Sequence, residues 1–403
     1  MEVKAKEPKV RFGEFTGKWE ECRFNEIYKK INEKNDLSFG PDKIISVANM
    51  YYKPMRDSTK SKIDYMKTYN IMRVGDIAFE GNKSKSYSYG RFVENIIGDG
   101  IVSHVFDVFR PITSYDLFFW KYYINNENIM GHILRRVTTK ATMMTNLVAK
   151  DFLKAKIYVP SIDEQKRIGL FLKQIDSIIT LHQQELEKLK ESKKTLLSKM
   201  FPKEGADRPE IRFAGFTDPW EQRKLKDFTI KTGKKNSEGE DYPAYSVSNK
   251  LGLVSQTKQF DGSRLDFLDK TAYKFVNQGE FAYNPARINV GSIAFNDLGK
   301  TVIVSSLYVV LKISDKLDNE YILQFIKSIK FIEEVKRNTE GSVREYLFFD
   351  NFKNIKFPYI KNLEEQQKIG SFFKQLDNTI TLHQKELENL KELKKTLLNL
   401  MFV

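Results

Sequence analysis

Residues 160–200 of the chain read PSIDEQKRIGLFLKQIDSIITLHQQELEKLKESKKTLLSKM, and this stretch decides the fold. From Ile168 through Leu172 and Ile175 onwards, its apolar side chains recur in alternating steps of three and four residues. That period of about 3.5 residues is typical of helices that wind around each other. About 40 residues at roughly 1.5 Å each span on the order of 60 Å, whereas an amphipathic surface helix commonly has about 8 to 20 residues. We therefore predict a long coiled-coil helix that acts as a spacer.

A second stretch near residue 400 carries the same pattern. Corresponding seam positions are 201 residues apart, with Ile168, Leu172, Ile175, Ile179, His182, Leu186, Leu189, Lys193, Leu196 and Met200 in the first stretch and Ile369, Phe373, Leu376, Ile380, His383, Leu387, Leu390, Lys394, Leu397 and Met401 in the second. The first stretch ends near Phe201, a second domain follows it, and that domain leads into the second stretch. This chain order favours an antiparallel pair of helices.

Polar residues interrupt both seams at matching positions, namely His182 and Lys193 in the first seam and His383 and Lys394 in the second. The two histidines could hold a metal ion, or the polar residues could fix the register of the pair. We favour the second interpretation, because polar seam residues specify register at some cost in stability. The remaining histidines have no carboxylate or cysteine at ligand spacing, so we predict no metal site.

The regions outside the helices are also duplicated at their edges. Residues 8–20, here named the first Arg-Phe block, return as residues 209–221, the second Arg-Phe block, and Trp19 and Trp220 are again 201 positions apart. A repeat this long indicates duplicated domains, since solenoid repeats run about 20 to 50 residues. Between the repeated segments the two halves differ, which suggests one fold that presents two different surfaces.

Each middle region mixes β-rich runs with an apolar stretch of helical character. We predict helices at residues 115–134 and 317–335 and a β-rich run at 301–311. The predicted fold class is α/β, with two mixed α/β domains joined by two long helices in an antiparallel coiled coil and a pseudo-twofold internal repeat. The expected boundaries are 1–159 for the first domain, 160–203 for the first helix, 204–359 for the second domain and 360–403 for the second helix.

Composition points to a polyanionic partner in a reducing compartment. The formal net charge is +14, and clustered Lys and Arg gain affinity for nucleic acid by displacing counterions from phosphates. A well-solvated surface is the alternative explanation of this charge. Cys22 is the only cysteine, the first residues are too charged for a signal peptide, and no apolar run approaches the roughly 20 residues that cross a bilayer. We expect a cytoplasmic protein without membrane contact.

Three short sequences are similar to catalytic motifs, but each lacks a required residue. Gly299-Lys300-Thr301 ends like a phosphate-binding loop, yet the preceding glycine, Gly291, is too far back for the loop to form. Asn284-Pro285-Ala286-Arg287 is similar to an amino-methyltransferase signature without its aromatic residue. Pro41-Asp42 begins like a metal nuclease motif, but no Glu-x-Lys follows on a nearby strand. We therefore expect a binding protein rather than an enzyme.

The complete pattern resembles the specificity subunits of type I restriction-modification systems. Two variable domains are each followed by a long helix that opens with Glu-Gln-x-x-Ile-Gly, at residues 164–169 and 365–370. Pro160 and Pro358 precede these motifs, and each Arg-Phe block ends in Trp-Glu. The resemblance covers essentially the whole chain and is specific as an architecture, although each motif alone is unspecific.

The resemblance implies a target-recognition subunit without a catalytic centre. Each domain would read one half of a bipartite DNA target, asymmetric because the middle regions differ, and the coil would fix the gap. The implied partners are double-stranded DNA, two methyltransferase subunits and translocating restriction subunits. S-adenosylmethionine, ATP and magnesium would be bound by those subunits and not by this chain. Half-sites about one helical turn apart, roughly 34 Å, require two readers held rigidly on one face of the duplex.

Arg, Asn and Gln suit base edges, while Lys mostly holds phosphates. The candidate DNA contacts are Asn49, Lys53, Lys83, Lys85, Tyr89, Arg91 and Lys140 in the first domain and Lys234, Lys235, Asn249, Lys250, Arg287, Asn289, Ser342 and Arg344 in the second. For each residue, an ordinary solvated or structural role is the alternative. Arg287 and Arg344 stand out because both occur in turn-like surroundings.

An identical partner must meet both halves, so its contacts should use repeated residues. Candidate partner contacts are Gln165, Phe171, Gln366 and Phe372, with simple packing of the coil as the alternative. Two other functions stay open. The chain could be a standalone DNA nuclease or methyltransferase with a diverged active site, or a scaffold that binds no DNA.

Overall fold

A computed structural model describes residues 7–54, 64–140, 144–249, 251–259, 269–338 and 346–403. The chain divides into two compact units, one made of Met1–Gln183 with Lys385–Val403 and the other of Gln184–Gln384. Each unit holds one variable middle region together with part of both long helices. The two long helices are therefore shared between the units.

The first unit is a mixed α/β structure. Its helices are α1 (Phe24–Ile27), α2 (Leu117–Ile124), α3 (Glu127–Val137), α4 (Ala149–Lys154) and the first part of α5 (Ile162–Lys199). Its strands are β1 (Glu20–Arg23), β2 (Tyr28–Ile31), β3 (Ile45–Ser46), β4 (Tyr51–Tyr52), β5 (Asn70–Met72), β6 (Ile77–Glu80), β7 (Arg91–Glu94), β8 (Gly100–Val102), β9 (Val108–Pro111), β10 (Thr138–Lys140), β11 (Thr145–Leu147) and β12 (Lys156–Val159). The main sheet is antiparallel in the order β2-β9-β6-β7, and β1-β12, β3-β4, β5-β8 and β10-β11 form two-stranded sheets.

The second unit contains the end of α5, α6 (Gln256–Gln259), α7 (Asn319–Ile326), α8 (Ile329–Asn338), α9 (Phe349–Phe352) and the first part of α10 (Leu363–Leu400). Its strands are β13 (Glu221–Lys224), β14 (Thr229–Thr232), β15 (Ala244–Ser248), β16 (Gly252–Ser255), β17 (Lys274–Val276), β18 (Phe281–Tyr283), β19 (Ile293–Phe295), β20 (Val302–Val304), β21 (Val309–Ile313) and β22 (Lys356–Tyr359). Two four-stranded sheets have the orders β14-β21-β18-β19 and β16-β15-β20-β17, and β13 pairs with β22.

The main sheets of the two units have matching topology, since β14-β21-β18-β19 follows the order of β2-β9-β6-β7. A buried asparagine after the last strand of each sheet makes the same contacts. The side-chain amide of Asn95 donates to the carbonyls of Met72 and Gly98, at 3.0 and 2.8 Å. The amide of Asn296 donates to the carbonyls of Val276 and Lys300, at 2.9 and 2.7 Å. The prediction of one duplicated mixed α/β fold is confirmed.

Three predicted elements are divided in the structure. The stretch 115–134 forms α2 and α3, because Asn126 leaves the helical conformation and its side chain accepts a hydrogen bond from the amide of Asn128 as a helix cap. The stretch 317–335 forms α7 and α8, which are separated at Ser328. The run 301–311 forms β20 and the start of β21, with a turn between them. Polar residues at Asn126 and Ser328 therefore interrupt the two apolar helical patterns, and a turn interrupts the β-rich run.

Aromatic residues at the ends of the long helices complete the core of each unit. Phe402 packs against Trp19 and Phe119 in the first unit, with ring centroids 6.4 and 5.5 Å apart. In the second unit Phe201 packs against Trp220 and Tyr321, at 6.3 and 5.7 Å. Burying a side chain of this size stabilises a fold by about 1.5 to 3 kcal/mol.

The two long helices run antiparallel. In the first unit Glu164 lies beside Trp19, which contacts Phe402. Twelve residues further along α5, Asp176 pairs at 2.5 Å with Lys394, which precedes Phe402 in the chain. As the residue numbers rise on α5, those of their partners on α10 fall.

The second unit repeats this arrangement, because Lys193 of α5 pairs at 2.5 Å with Asp377 of α10. All predicted seam residues are buried or half-buried, which confirms the seam. The seam lysines thus engage acidic partners on the opposite helix. Among the described residues, no helix is both long enough and apolar enough to cross a membrane.

Candidate nucleic-acid interface

In the first unit, contacts join three loop regions that are distant in sequence. These are the β3–β4 turn, the loop of residues 81–90 and the β10–β11 hairpin. The backbone amide of Thr145 donates to the carbonyl of Gly81 at 2.8 Å, and its hydroxyl donates to the carbonyl of Tyr89 at 2.8 Å. The hairpin thus closes over both ends of the 81–90 loop. A side chain at Gly81 would collide with the backbone of Thr145, so only glycine permits this approach.

Arg91 connects the β3–β4 turn to the other two regions. Its guanidinium donates to the carboxylate of Glu80 at 2.8 Å and to the carbonyl of Ala48 at 2.5 Å, and it lies 5.0 Å from the ring centre of Tyr87. Burial is the largest influence and acts to lower the pKa of Arg91, but the hydrogen bonds and charges of Glu80 and Tyr87 together outweigh it and the pKa is raised. Arg91 was predicted as a DNA contact, and in the structure two of its three guanidinium nitrogens already donate within the unit. We interpret it as the residue that positions the turn carrying Asn49.

The remaining candidates of the first unit lie on these three regions or next to them. Asn49, Lys53, Lys83, Lys85 and Lys140 are exposed, while Tyr89 is half-buried. The structure thus brings together amines and an amide that the sequence spreads over about 90 positions. Such a surface can hold phosphates with its lysines and contact a base edge through Asn49.

The second unit joins the equivalent three regions, namely the β15–β16 turn, the loop of residues 284–292 and the segment of residues 346–348. The amide of Leu347 donates to the carbonyl of Pro285 at 3.0 Å. At the other end of the loop, the hydroxyl of Ser292 donates to the carbonyl of Val247 at 3.2 Å, and Gly291 lies against Asn249. The same three-region edge therefore forms in both units.

The candidates on this edge differ in exposure. Asn249 and Arg287 are exposed and Asn289 is half-buried. The side chain of Asn284 accepts a hydrogen bond from the amide of Ala286 at 3.0 Å, so it shapes the turn that presents Arg287. The candidates Lys250, Ser342 and Arg344 lie outside the described residues.

Lys234 and Lys235 belong to a second basic surface, beside β17. The amide of Phe275 donates to the carbonyl of Lys234 at 3.0 Å, and Lys235 pairs with Lys274 in an isolated β-bridge. The pKa of Lys274 is lowered, first by burial and then by the positive charges of Lys231 and Lys235. Lys231 and Lys274 were not among the predicted contacts, because both lie on strands and the predicted contacts were expected in loops.

The glutamate of the Glu-Gln-x-x-Ile-Gly motif anchors an Arg-Phe block to a long helix in each unit. Arg11 forms a two-pronged pair with Glu164, with N–O distances of 2.7 and 2.6 Å. Arg212 pairs with Glu365 in the same way, at 2.7 and 2.9 Å. Both glutamates are 1% exposed. Buried pairs of this geometry give specificity, because removing either partner leaves an uncompensated charge.

The side-chain oxygen of the motif's glutamine accepts a hydrogen bond from the start of a middle-region helix, α2 in the first unit and α7 in the second. Gln366 accepts from the amide of Asp318 at 2.7 Å and donates to the carbonyl of Ile360 at 2.7 Å. Gln165 makes the equivalent contacts with Asp116 and Pro160, at 3.5 and 3.0 Å. Both glutamines are buried, and their polar atoms are used within the chain. Their burial argues against the predicted partner contact at these two positions.

The glycine of the motif permits the close approach of the helix that Asp116 or Asp318 caps. A Cβ atom at Gly370 would lie 2.7 Å from both the carboxylate of Asp318 and the amide of Tyr321, and one at Gly169 would lie 2.7 Å from the amide of Phe119. Real Cβ atoms essentially never approach other atoms this closely. The motif is thus a docking site between the long helix and the middle region.

The predicted partner contacts Phe171 and Phe372 are half-buried against the Arg-Phe blocks. Phe171 meets Phe12 with ring centroids 5.5 Å apart, and Phe372 meets Phe213 at 5.9 Å. A shallow groove beside Phe372 is lined by Phe213, Ala214, Glu364, Gln367, Lys368, Ser371 and Gln375. The sequence alone did not indicate which side of Phe171 and Phe372 remains exposed to solvent.

Further along the helices, apolar residues lie exposed at repeated positions. Leu181 of α5 is 63% exposed and its counterpart Leu382 of α10 is 57% exposed. Ile178, one turn before Leu181, is 45% exposed. Exposed apolar side chains grouped in this way often mark a contact with another protein.

The comparisons with known proteins agree with this architecture. The family described as type I restriction modification DNA specificity domain matches residues 16–191 and again residues 217–392. Two relatives come from Methanocaldococcus jannaschii. The type I restriction enzyme MjaVIII specificity subunit is 27% identical over 65% of this chain and 65% of its own length. The putative type I restriction enzyme MjaX specificity subunit is 23% identical over 72% of this chain and 68% of its own length.

Two solved structures share the fold. The S subunit of a type I restriction-modification system from M. genitalium has a TM-score of 0.59 at 14% identity, covering 98% of this chain and 99% of that one. A chain from a study of complex assembly and conformational transition in the type I R-M system has a TM-score of 0.52 at 15% identity, covering 94% and 96%.

Proposed function

Because the chain belongs to the type I restriction modification DNA specificity domain family, we propose that it is the non-catalytic subunit that gives such a complex its DNA sequence specificity. Each unit reads one half of a bipartite target. The observation that carries this proposal is the recurrence of one three-region edge in both units, held together by similar contacts but carrying different side chains. Equal scaffolds with unequal contacts suit two half-sites of different sequence.

The proposed reading edges divide their work by chemistry. In the first unit Asn49 contacts a base, and Lys53, Lys83, Lys85 and Lys140 contact phosphates. In the second unit Arg287 and Asn249 contact bases, because a guanidinium suits guanine and an amide suits adenine. The basic surface around Lys235 and Lys274 supplies further phosphate contacts. Lys250, Ser342 and Arg344 remain predicted contacts on sequence grounds.

The proposed spacer is the antiparallel helix pair, which sets the gap between the half-sites. The boundaries 1–159, 160–203, 204–359 and 360–403 stay our proposal for the two readers and two helices. A register fixed by the pairs Asp176–Lys394 and Lys193–Asp377 supports a spacer of constant length, since polar seam contacts disfavour sliding. A DNA-reading role also places the chain in the cytoplasm.

The proposed protein partners are two methyltransferase subunits, joined by translocating restriction subunits. S-adenosylmethionine, ATP and magnesium are bound by those partners. An identical partner bound twice needs a surface present twice, and Leu181 with Phe171 and Leu382 with Phe372 provide one. We propose these residues, two on each long helix, as the contacts with the two methyltransferase subunits.

The test of the proposed function is a domain exchange. The chain is produced with its methyltransferase partner, residues 219–357 are replaced by those of another reader, and the methylated sites are sequenced. We expect one half-site to change while the other half-site and the gap stay the same. A change in both half-sites, or in neither, would contradict the assignment.

A second measurement separates the two rival functions. The purified chain alone, incubated with duplex DNA and S-adenosylmethionine or magnesium, should neither methylate nor cleave it. Its affinity for duplex DNA should fall steeply with salt, because phosphate contacts release counterions. Activity without added subunits would favour a standalone enzyme, and weak, salt-insensitive retention would favour a scaffold.

A further inference from the structure

Two aromatic rings lie side by side on the three-region edge of the second unit. Tyr346 and Phe348 flank Leu347, whose side chain is fully buried and whose amide is bound to Pro285. Alternate side chains of an extended segment point in opposite directions. With Leu347 facing the core, Tyr346 and Phe348 face solvent and are 38% and 58% exposed.

The two rings are nearly parallel. The ring centroids are 5.8 Å apart and the ring planes differ by 7°, so the rings are stacked. In the first unit the segment that leads into α4, residues 144–148, reads MTNLV and contains no aromatic residue. The aromatic surface is therefore a property of the second unit, and it belongs to the part of the fold in which the halves differ.

We propose that the Tyr346–Phe348 pair stacks on a base of the half-site that the second unit reads, a step that rests on the proposed function. The pair is continuous with the loop that presents Arg287, so a duplex bound there would pass the rings. Every base has a π face that can stack on an aromatic side chain. An exposed aromatic ring can therefore stack on a base that the complex makes accessible.

The proposal also predicts an asymmetric distortion of the DNA. The first unit has no aromatic residue in the corresponding segment, residues 144–148, so stacking is expected in one half-site only. Abasic positions scanned through both half-sites locate the contact, because removing the stacked base removes the interaction. Loss of affinity that depends on Phe348 should appear at one abasic position of the second half-site.

The experiment measures the affinity of the complete complex, chain plus methyltransferase subunits, for a target duplex found by sequencing methylated sites. Phe348→Ala should weaken binding by roughly 5- to 100-fold, the range that base–aromatic stacking commonly supplies. Phe348→Tyr should retain most of the affinity, and Phe348→Leu should not, because leucine is apolar without a π face. The slope of affinity against salt should stay unchanged, since no charge is lost.

Two comparisons decide the outcome. Ile329→Ala removes a 52% exposed apolar side chain at the start of α8, at a position outside the three regions, and should leave DNA binding unaltered. At the stacked position, the abasic site and Phe348→Ala should weaken binding less together than the sum of their separate effects. Additive effects at every position, or a leucine variant that binds like the original chain, would overturn the stacking proposal. If the complex with the original, unsubstituted chain bound DNA without sequence preference, the proposed function would be overturned as well.

Discussion

At the scale of single residues, the glycines of the Glu-Gln-x-x-Ile-Gly motif govern how closely the middle regions approach the long helices. Gly370→Ala places a Cβ 2.7 Å from the carboxylate of Asp318 and the amide of Tyr321. We expect a loss of about 1 to 3 kcal/mol in the free energy of unfolding, because overpacking forces the backbone apart. Calorimetry should show a lower thermal midpoint. Gly13→Ala is the control, since nothing lies within 4 Å of a Cβ there.

Glu94 gives the first unit a pH-dependent stability. The carboxyl group is buried, which raises its pKa well above the usual value, and the hydroxyl of Tyr115 donates to it. Because the folded pKa exceeds the unfolded one, the stability that the neutral acid contributes is complete below about pH 4.3 and is lost as the pH rises. Glu94→Gln should therefore stabilise the chain at pH 8 and much less at pH 5.

Urea midpoints at both pH values measure this difference. Glu388→Gln, on an exposed position of α10, should show no such pH-dependent gain. An equal effect of Glu94→Gln at both pH values would mean that the carboxyl group ionises freely in the folded chain.

At the scale of elements, the helix pair depends on its polar contacts. Lys394 holds Asp176 at 2.5 Å, and Tyr122 donates to the same carboxylate at 2.6 Å. Burial acts to raise the pKa of Asp176, but these hydrogen bonds outweigh it and lower the pKa. Lys394→Met should destabilise the first unit by about 1 to 2 kcal/mol, because the half-buried carboxylate loses its main partner.

The sign of the pH effect follows from the lowered pKa. The contribution of the pair is complete above the unfolded pKa of about 3.9 and is lost as the pH falls through the folded value. Chemical denaturation at pH 7 and pH 3 should show a larger effect of Lys394→Met at pH 7 than at pH 3. Lys395→Met changes the neighbouring, 70% exposed lysine and should have little effect at either pH.

The helices could be predicted from sequence because their seam repeats over about 40 residues, so that many positions support the same helical period. The breaks at Asn126 and Ser328 could not, because a single side chain or backbone turn decides them. The reading edges were predictable only as a collection of loop residues. Contacts such as Thr145 to Gly81 join positions 64 residues apart, and no local pattern records them. Arg91 illustrates this, since its residue type suggested a base contact, whereas its hydrogen bonds to Glu80 and Ala48 indicate a role in positioning the β3–β4 turn.

At the scale of the whole molecule, one backbone hydrogen bond joins an Arg-Phe block to the end of a long helix in each unit. The two units differ in how the chain connects the two partners. The amide of Ile211 donates to the carbonyl of Lys199 at 3.1 Å, and that of Val10 donates to the carbonyl of Leu400 at 3.0 Å. In the second unit a short connection, residues 202–208, links the two partners. In the first unit the partners lie almost 400 positions apart in the chain. The first unit therefore has the geometry for the same connection.

A circularly permuted chain tests this equivalence. Phe402 is joined to Pro8 by a copy of residues 202–208, and the original connection is opened between Gly205 and Ala206. We expect the permuted chain to fold and, with its methyltransferase partner, to direct methylation to the original target, as sequencing of methylated sites would show. Opening the chain inside β18, at the fully buried Ala282, should abolish folding. Equal failure of both permutations would argue against the equivalence.

The main-chain ties of the reading edges have an evolutionary consequence. Where Leu347 meets Pro285 and Thr145 meets Gly81, the bonding groups are a peptide N–H and a peptide carbonyl, which most amino acids supply. The outward side chains can then be exchanged one at a time without loosening the frame. Recognition of a new sequence becomes accessible through single substitutions, each affecting only one half of the target.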